Sequence, residues 1–397
     1  MKRWLFITGI IIIALLTAVW VYLLFFGDHA KDDLYSLFGF GDTTDPKATF
    51  EPTVTPDTTT QNDVTKEKLR QLSTKPVIGF VEINQNGTSS MPIVNYVEAG
   101  TGHIFSLNIE TGAENRVSNI TVPMAQLAQL SIDGKNAAIK SGEGNNSHIT
   151  TITINNDGSI TSNEVDEASQ NFALTDDGEL LYTSQNTGTT LGRAYNLTSK
   201  SSRTLFAIPF RDVVVHWGTR ASDTHTFYPK AASRLDGALY SVTKGAVNRM
   251  PISGYGLTAV TTAAASIYAY QAGNLYRTFL YTFSNKAKQE LPFTFLPEKC
   301  VFSKTAPLAI CANDAKGVYD ISVPDKWYQG DVSYSDDLWT LGLETAEVNL
   351  LVETLPISGR ELDINNPYLS TDDARVYFQN KNDQTLWLFD GSQPNPQ

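Results

Sequence analysis

The chain has few of the residues that build metal sites and disulfide frameworks. Among its 397 residues are two cysteines, Cys300 and Cys311, and five histidines. Two thiols exclude a four-thiolate zinc site and a network of disulfides. No two histidines stand at HxH or HxxxH spacing. We therefore expect neither a metal ion nor a cofactor.

Sequence motifs of common enzymes are also missing. The chain contains no GxSxG, no GxxxxGK[ST], no HExxH and no GxGxxG that follows a strand. Paired carboxylates occur at Asp176-Asp177, Asp336-Asp337 and Asp372-Asp373. Two of these pairs fall in a repeated turn, so we expect the pairs to shape turns rather than to act as acids and bases. Catalytic residues are not predicted.

Basic residues are outnumbered by acidic ones. Lys and Arg total 30 against 42 Asp and Glu, which gives a net charge of -12. A negative charge of this size repels phosphate backbones. We expect no nucleic-acid partner.

One long apolar run is present, at residues 4–26, directly after Lys2 and Arg3. As a helix this run would extend roughly 34 Å at about 1.5 Å per residue, enough to cross a bilayer. The alternative is a cleaved signal peptide, whose apolar region is usually shorter and whose cleavage site is marked by small residues. The basic pair predicts a cytoplasmic tip and transmembrane anchor over residues 1–27, with the rest of the chain outside the cytoplasm.

The anchor is followed by a polar segment. Residues 28–66 are rich in Thr, Asp and Pro and contain too few apolar residues to bury a core. This composition predicts a disordered tether. Residues 67–397 then form the folded, extracytoplasmic domain.

A turn signature recurs through the folded domain. Its clearest copies are Leu130-Ser-Ile-Asp-Gly-Lys, Leu174-Thr-Asp-Asp-Gly-Glu and Leu369-Ser-Thr-Asp-Asp-Ala. Asp supplies side-chain hydrogen bonds to such a turn, and Gly supplies its positive φ. Weaker copies begin at His216, Leu257 and Phe302. The interval is about 43 residues, which is typical of a four-stranded blade of a β-propeller.

An apolar-aromatic strand forms a second repeated element. It begins at Ile104, Leu275, Leu338 and Leu386. We interpret these segments as the third strands of successive blades. The count predicts an all-β fold, a β-propeller of seven four-stranded blades, with six or eight blades as the alternatives.

The last repeat is short of one strand. The segment at 68–73 resembles the predicted outer strand at 115–119, so we expect it to complete the last blade and to close the ring. The alternative is a short helix that begins near Thr65. Within the repeats, pairing Ser303 with Leu308 across a turn sets Cys300 opposite Cys311, which predicts a disulfide. The alternative is a pair of buried thiols.

The most unusual connection is the segment 313–336. It carries the aromatic and amide side chains of Trp327, Tyr328, Gln329 and Tyr334. Such side chains on a propeller face can stack on sugars or anchor a protein loop, so these four residues are the candidate ligand-binding site. The alternative is that the aromatic rings pack the connection against its own blade. His216 follows an apolar run, and we expect it to be a buried histidine on an inner strand rather than a catalytic base.

The repeated turn and the apolar-aromatic strand, which has the form LWxxD at residues 386–390, resemble bacterial propellers of the WD-like and TolB-like kind. The anchor, the TGHIFSLNIETG segment at 101–112, the cysteine hairpin and the VPDKWYQGDVSYSDDLW segment at 323–339 are similar to a group of uncharacterised membrane-anchored bacterial propeller proteins. The resemblance covers most of residues 68–391 and implies fold and location. It implies no functional residue.

These observations favour a binding or interaction module at the cell envelope, with a protein or polysaccharide ligand and with residues 4–26 in the membrane. A propeller hydrolase or lyase that acts on envelope carbohydrate is the first alternative, and a purely structural envelope protein is the second. Convergent carboxylates at the channel would favour the enzyme. A broad aromatic surface would favour binding.

Overall fold

Seven antiparallel four-stranded sheets make up the described part of the chain. The computed structural model describes residues 67–83, 91–143, 147–155, 157–165, 171–314, 316, 319 and 322–392. The prediction of an all-β propeller with seven four-stranded blades is confirmed. The predicted anchor and tether lie outside the described residues, and no helix within those residues is long and apolar enough to cross a bilayer.

The first three blades follow one another along the chain. Blade 1 contains β2 (Val77–Glu82), β3 (Ile93–Glu98), β4 (Ile104–Asn108) and β5 (Glu114–Arg116). Blade 2 contains β6 (Ala125–Leu130), β7 (Asn136–Ser141), β8 (His148–Ile154) and β9 (Ile160–Val165). Blade 3 contains β10 (Phe172–Leu174), β11 (Glu179–Asn186), β12 (Thr189–Asn196) and β13 (Ser201–Ile208).

The next three blades repeat this order. Blade 4 contains β14 (Val213–His216), β15 (His225–Pro229), β16 (Asp236–Thr243) and β17 (Ala246–Tyr255). Blade 5 contains β18 (Thr258–Thr261), β19 (Ala265–Ala272), β20 (Leu275–Thr282) and β21 (Ala287–Glu290). Blade 6 contains β22 (Cys300–Phe302), β23 (Leu308–Asp314), β24 (Asp336–Gly342) and β25 (Val348–Val352).

Blade 7 combines the two ends of the described chain. It contains β26 (Ile364–Leu369), β27 (Arg375–Asn380), β28 (Leu386–Asp390) and, as its outer strand, β1 (Leu69–Gln71). Leu69 pairs with Phe389, and the backbone N–H of Leu386 donates to the Ser73 hydroxyl at 2.9 Å. The predicted closing strand is confirmed, and the alternative of a helix there is wrong.

Short helices occur only in connections among the described residues. A 3₁₀ turn (Pro297–Lys299) precedes β22, α1 (Asp325–Gln329) lies between β23 and β24, and α2 (Thr354–Ser358) lies between β25 and β26.

The order of strands within a blade gives the propeller two distinct faces. Turns between the first and second strands and between the third and fourth strands lie on one face, which we call the hairpin face. Connections between the second and third strands, and from one blade to the next, lie on the other face, which we call the connection face. The first strands lie innermost, whereas outer strands such as β5 and β21 are exposed along their whole length.

The repeated turn has the chemistry predicted for it. In blade 2 the Ser131 hydroxyl donates to Asp133 Oδ1 at 2.5 Å, and in blade 7 Ser370 donates to Asp372 Oδ1 at the same distance. The next position is left-handed in both turns, with φ of 71° at Gly134 and 56° at Asp373. The side-chain bond and the left-handed residue therefore recur together, with Asp replacing Gly in blade 7.

The predicted turn at Leu257 is wrong in position. Leu257 precedes β18, and the turn of blade 5 lies at the other end of that strand, where the backbone N–H of Thr262 donates to the Ala265 carbonyl at 2.9 Å. The sequence Leu-Thr-Ala-Val imitates the apolar-hydroxyl start of the signature but lacks its Asp. The blade count is unaffected, because the error moves the turn within blade 5.

Apolar clusters between neighbouring blades form the core. The cluster between blades 1 and 2, for example, includes Val81, Ile104, Ile139 and Ile152, all almost fully buried. Gly79 on β2 allows the two inner strands to approach closely, since a Cβ there would lie 2.3 Å from the Ala128 carbonyl oxygen. Blade 6 is also linked covalently, because Cys300 pairs with Cys311 in register and the two form a disulfide, as predicted.

Candidate functional site

The long connection of blade 6 leaves its own blade. We call residues 322–335, the part that includes α1, the strap. The Asp325 carboxylate accepts hydrogen bonds from the backbone N–H of Ser233 at 3.0 Å and from the Ser233 hydroxyl at 2.6 Å. Ser233 lies between β15 and β16 of blade 4. The strap therefore crosses blade 5 on the connection face.

Trp327 fixes the strap from its inner side. The residue is 3% exposed, and its indole Nε1 donates to both carboxylate oxygens of Asp363 at 3.1 Å. Asp363 directly precedes the first strand of blade 7. The Trp327 side chain also belongs to a cluster with Tyr276 of blade 5 and with Tyr334. The strap is thus held by blades 4, 5 and 7 rather than by its own blade alone.

The four predicted ligand-binding residues differ in exposure. Trp327 and Tyr334 are buried, whereas Tyr328 is 38% exposed and Gln329 is exposed. The Tyr328 hydroxyl donates to the Glu298 carboxylate, so the exposed ring is held in one position. Ligand binding by these residues stays a prediction. The surface available for it is that of Tyr328 and Gln329.

A buried ionic cluster lies beneath the strap. Lys299 Nζ lies 2.6 Å from Asp363 Oδ1 and also contacts Asp336 Oδ2, and all three side chains are fully buried. Burial raises the pKa of Asp336 to about 7. Lys299 acts in the opposite direction, but it does not cancel the effect of burial because this one cation is shared with the second carboxylate, Asp363. The cluster joins the 3₁₀ turn, β24 and the start of blade 7.

Sequence reasoning missed this cluster. Asp336 and Asp337 do not form a turn but begin β24. Two signals were present in the sequence. The pair continues directly into Leu338 and Trp339 without a residue suited to a turn. Lys299 stands in the mainly apolar stretch FLPEKCVF, where a buried cation needs a carboxylate partner.

The other carboxylate pairs lie in turns. Asp372 accepts hydrogen bonds from its own turn, and Asp373 accepts from the hydroxyls of Ser303 and Thr305 in the neighbouring turn of blade 6, at 2.5 Å in the case of Ser303. Burial by itself would raise the pKa of Asp373, but the hydrogen bonds from these hydroxyls and from the neighbouring backbone together lower it. Among the described residues no group of three or more His, Cys, Asp or Glu side chains is arranged to hold a metal ion.

His216 ends the inner strand β14, as expected. Its ring stacks on Tyr228 with 5.9 Å between centroids. Burial lowers the pKa of His216 to about 4, so the imidazole is neutral at pH 7. The ring lines a cleft of about 760 Å³ between blades 4 and 5, on the hairpin face. Sequence reasoning placed the residue but did not predict the cleft.

Comparisons with known proteins identify the fold and not the family. No protein-family model matches the chain, and no curated protein matches it. Oligogalacturonate lyase from Vibrio parahaemolyticus aligns with a TM-score of 0.51 and 11% identity, over 83% of this chain and 94% of that chain. TolB from Acinetobacter baumannii aligns with a TM-score of 0.43 and 13% identity, over 80% of each chain.

A third solved structure offers a contrast in ring closure. The β-propeller domain of the Trilobed protease from Pyrococcus furiosus aligns with a TM-score of 0.50 and 11% identity, over 81% of this chain and 95% of that domain. That domain has an open velcro topology, whereas β1 and β28 pair in the chain described here. At such identities the likeness concerns the fold alone. The chain is similar to β-propeller proteins of several activities.

Proposed function

We propose that the chain is a membrane-tethered, extracytoplasmic β-propeller that binds a protein of the cell envelope through its connection face. The observation that carries this proposal is a set of large apolar side chains exposed on that face. Leu235 is 48% exposed, Tyr255 54% and Leu275 46%. Together with Tyr328 we call them the apolar patch. Exposed apolar surface of this kind is typical of interaction sites.

Hydrogen bonds hold much of the patch in place. The backbone N–H of Gly256 donates to the Leu235 carbonyl at 2.9 Å, which sets Leu235 beside Tyr255. The bonds between Ser233 and Asp325 join this corner of blade 4 to α1, which carries Tyr328. A surface ordered before binding loses less conformational entropy when a partner binds. Tyrosine is also enriched among the residues that dominate binding energy.

The location is part of the proposal. Its support is the apolar run at residues 4–26 behind two basic residues, followed by the polar segment 28–66. The test compares the full chain with a variant that lacks residues 4–26, by membrane fractionation and by protease treatment of intact cells. We expect the full chain to be membrane-bound and digested from outside. Recovery of the full chain in the soluble fraction would contradict an anchor.

Site-specific photocrosslinking tests the partner. A photoreactive phenylalanine analogue replaces Tyr255 in the full chain in cells, and a matched control carries it at Val247, which is 41% exposed on the hairpin face. We expect a discrete crosslinked protein at position 255 and not at 247, and we expect Leu235→Asp to abolish it. Equal crosslinking at both positions would refute the patch.

The two alternatives predict other outcomes. A hydrolase or lyase would release reducing ends from envelope polysaccharide, and this activity would survive Leu235→Asp. A purely structural envelope protein would give neither a position-specific crosslink nor a product.

A further inference from the structure

The cleft between blades 4 and 5 lies on the hairpin face, away from the apolar patch. Its volume is about 760 Å³, within the range of roughly 300–1,000 Å³ that is usual for small-molecule sites. Its wall on the blade 4 side includes His216, Thr226 and Ser241, and its wall on the blade 5 side includes Thr261 and Thr262. Both walls of the cleft therefore carry hydroxyl groups, alongside apolar side chains such as Met250 and Phe283.

Three residues of blade 4 form a row across neighbouring strands. His216 on β14 pairs with Thr226 on β15, and Thr226 pairs with Ser241 on β16. Residues directly opposite one another in adjacent strands project to the same side of a sheet. The row therefore leads from the inner strand outward along one wall of the cleft.

The composition of the interface explains why the cleft stays open. Further along the same interface, the blades are packed together by Tyr228, Leu239, Tyr268 and Phe279, all of which are buried. The row at the hairpin end offers small hydroxyl side chains instead. Such side chains do not fill the space that the tyrosines fill, and the blades separate there.

The row has unused hydrogen-bonding capacity. Thr226 is 7% exposed, and among the described residues neither its hydroxyl nor that of Ser241 has a hydrogen-bond partner. Both hydroxyls therefore remain available to hydrogen-bond with a ligand that enters the cleft.

The charge of the walls selects the kind of ligand. Asp223 is the one charged side chain among the residues that line the cleft, and its Oδ2 already accepts from the Thr219 hydroxyl at 3.0 Å and the Arg220 backbone N–H at 2.9 Å. No cation is available there to neutralise an acidic sugar. Phe283 and Met250 supply apolar surface against which the C–H face of a sugar ring can pack.

We propose that this cleft is a binding site for a neutral oligosaccharide, with Thr226 and Ser241 as hydrogen-bonding partners of its hydroxyl groups. This site is independent of the protein partner on the connection face. The proposal can therefore fail while the proposed function stands, and the reverse also holds.

Binding is tested by saturation-transfer NMR and titration calorimetry on the full chain in detergent. The probes are cellotriose, maltotriose and chitotriose, which are neutral, and trigalacturonate, which is acidic. We expect at least one neutral probe to bind and trigalacturonate not to bind. If no neutral probe binds, or if trigalacturonate binds equally well, the proposal is overturned.

Two variants locate the binding. Thr226→Val keeps the shape of the side chain and removes its hydroxyl, and we expect affinity to fall about tenfold, since a lost hydrogen bond to a buried hydroxyl has this order of effect. Ser241→Leu fills the cleft and should abolish binding. Thr204→Val, on the exposed outer strand β13, is the matched control and should bind normally. Unchanged binding in both cleft variants would place the saccharide elsewhere and refute this site.

Discussion

The guanidinium of Arg375 and the carboxylate of Glu82 form a two-point ion pair across the junction of blades 7 and 1. The Nε–Oε2 and Nη2–Oε1 distances are both 2.9 Å, and the side chains are 14% and 11% exposed. The Tyr377 hydroxyl donates to the same carboxylate at 2.5 Å. The ring is therefore closed by side chains of β27 and β2 as well as by β1 at its outer edge.

Arg375→Ala should destabilise the whole propeller. Removing one member of a buried pair leaves the Glu82 charge unpaired, and we expect the free energy of unfolding to fall by about 3–5 kcal/mol in urea titrations. Arg277→Ala is the matched control, because Arg277 and Glu290 form an exposed pair, worth about 0–1 kcal/mol. Equal losses in the two variants would show that the closing pair has no special role.

The disulfide should stabilise blade 6. It closes a loop with a sequence separation of 11, for which loop-closure entropy corresponds to about 3 kcal/mol. We expect the double variant Cys300→Ala, Cys311→Ala to lose this amount and to be insensitive to dithiothreitol, whereas the natural chain loses stability when reduced. Detection of two free thiols by mass spectrometry of the native chain would contradict the bond.

Stability should depend on pH through two groups of opposite effect. Between pH 3.8 and about 7 the folded protein keeps on Asp336 a proton that the unfolded chain has released, so this group lowers stability as pH rises. Between about pH 4 and pH 6.5 the unfolded chain holds a proton on His216 that the folded protein lacks, so this group raises stability as pH rises.

Single variants should separate the two slopes. Asp336→Asn removes the contribution that lowers stability as pH rises. The stability of this variant should therefore rise more steeply with pH than that of the natural chain. His216→Gln should do the reverse. Each slope is at most about 1.4 kcal/mol per pH unit. Urea unfolding between about pH 4 and about pH 7 measures both slopes. If the pH dependence of stability in both variants runs parallel to that of the natural chain, these groups do not titrate as described.

The strap should loosen when its bond to blade 4 is removed. Asp325→Ala deletes three contacts with Ser233, and we expect amide hydrogen exchange in α1 to become about tenfold faster or more, since a hydrogen bond to a charged group contributes about 1.5–3 kcal/mol. Asp331→Ala, an exposed carboxylate on the same strap, is the control. Identical exchange rates in the two variants would mean that blade 4 does not hold the strap.

Local patterns predicted the repeated turn and the disulfide because those features depend on residues close in sequence. The Ser131-to-Asp133 bond, the left-handed Gly134 and the pairing of Cys300 with Cys311 each involve a single turn or hairpin. The closing strand was predictable because its resemblance to another outer strand is also a local pattern.

The strap and the cleft depend on residues far apart in sequence. Asp325 and Ser233 are 92 positions apart, and Lys299 and Asp363 are 64 apart, so no local pattern indicates that they meet. The predicted ligand-binding site included Trp327, although the side chain is buried. The sequence around Trp327 does not reveal that Asp363, next to blade 7, accepts a hydrogen bond from its indole. Likewise, Thr226 and Ser241 look like ordinary strand residues until three strands align them.

The position of β1 gives the propeller a mechanical property. Any tension that reaches the domain through the chain before Glu67 acts first on the three pairings between β1 and β28, and only then on the blades. The strand that closes the ring is thus also the part that bears the load. Under force, the outer edge of blade 7 would yield first and leave the Arg375–Glu82 contact to keep the remaining ring together.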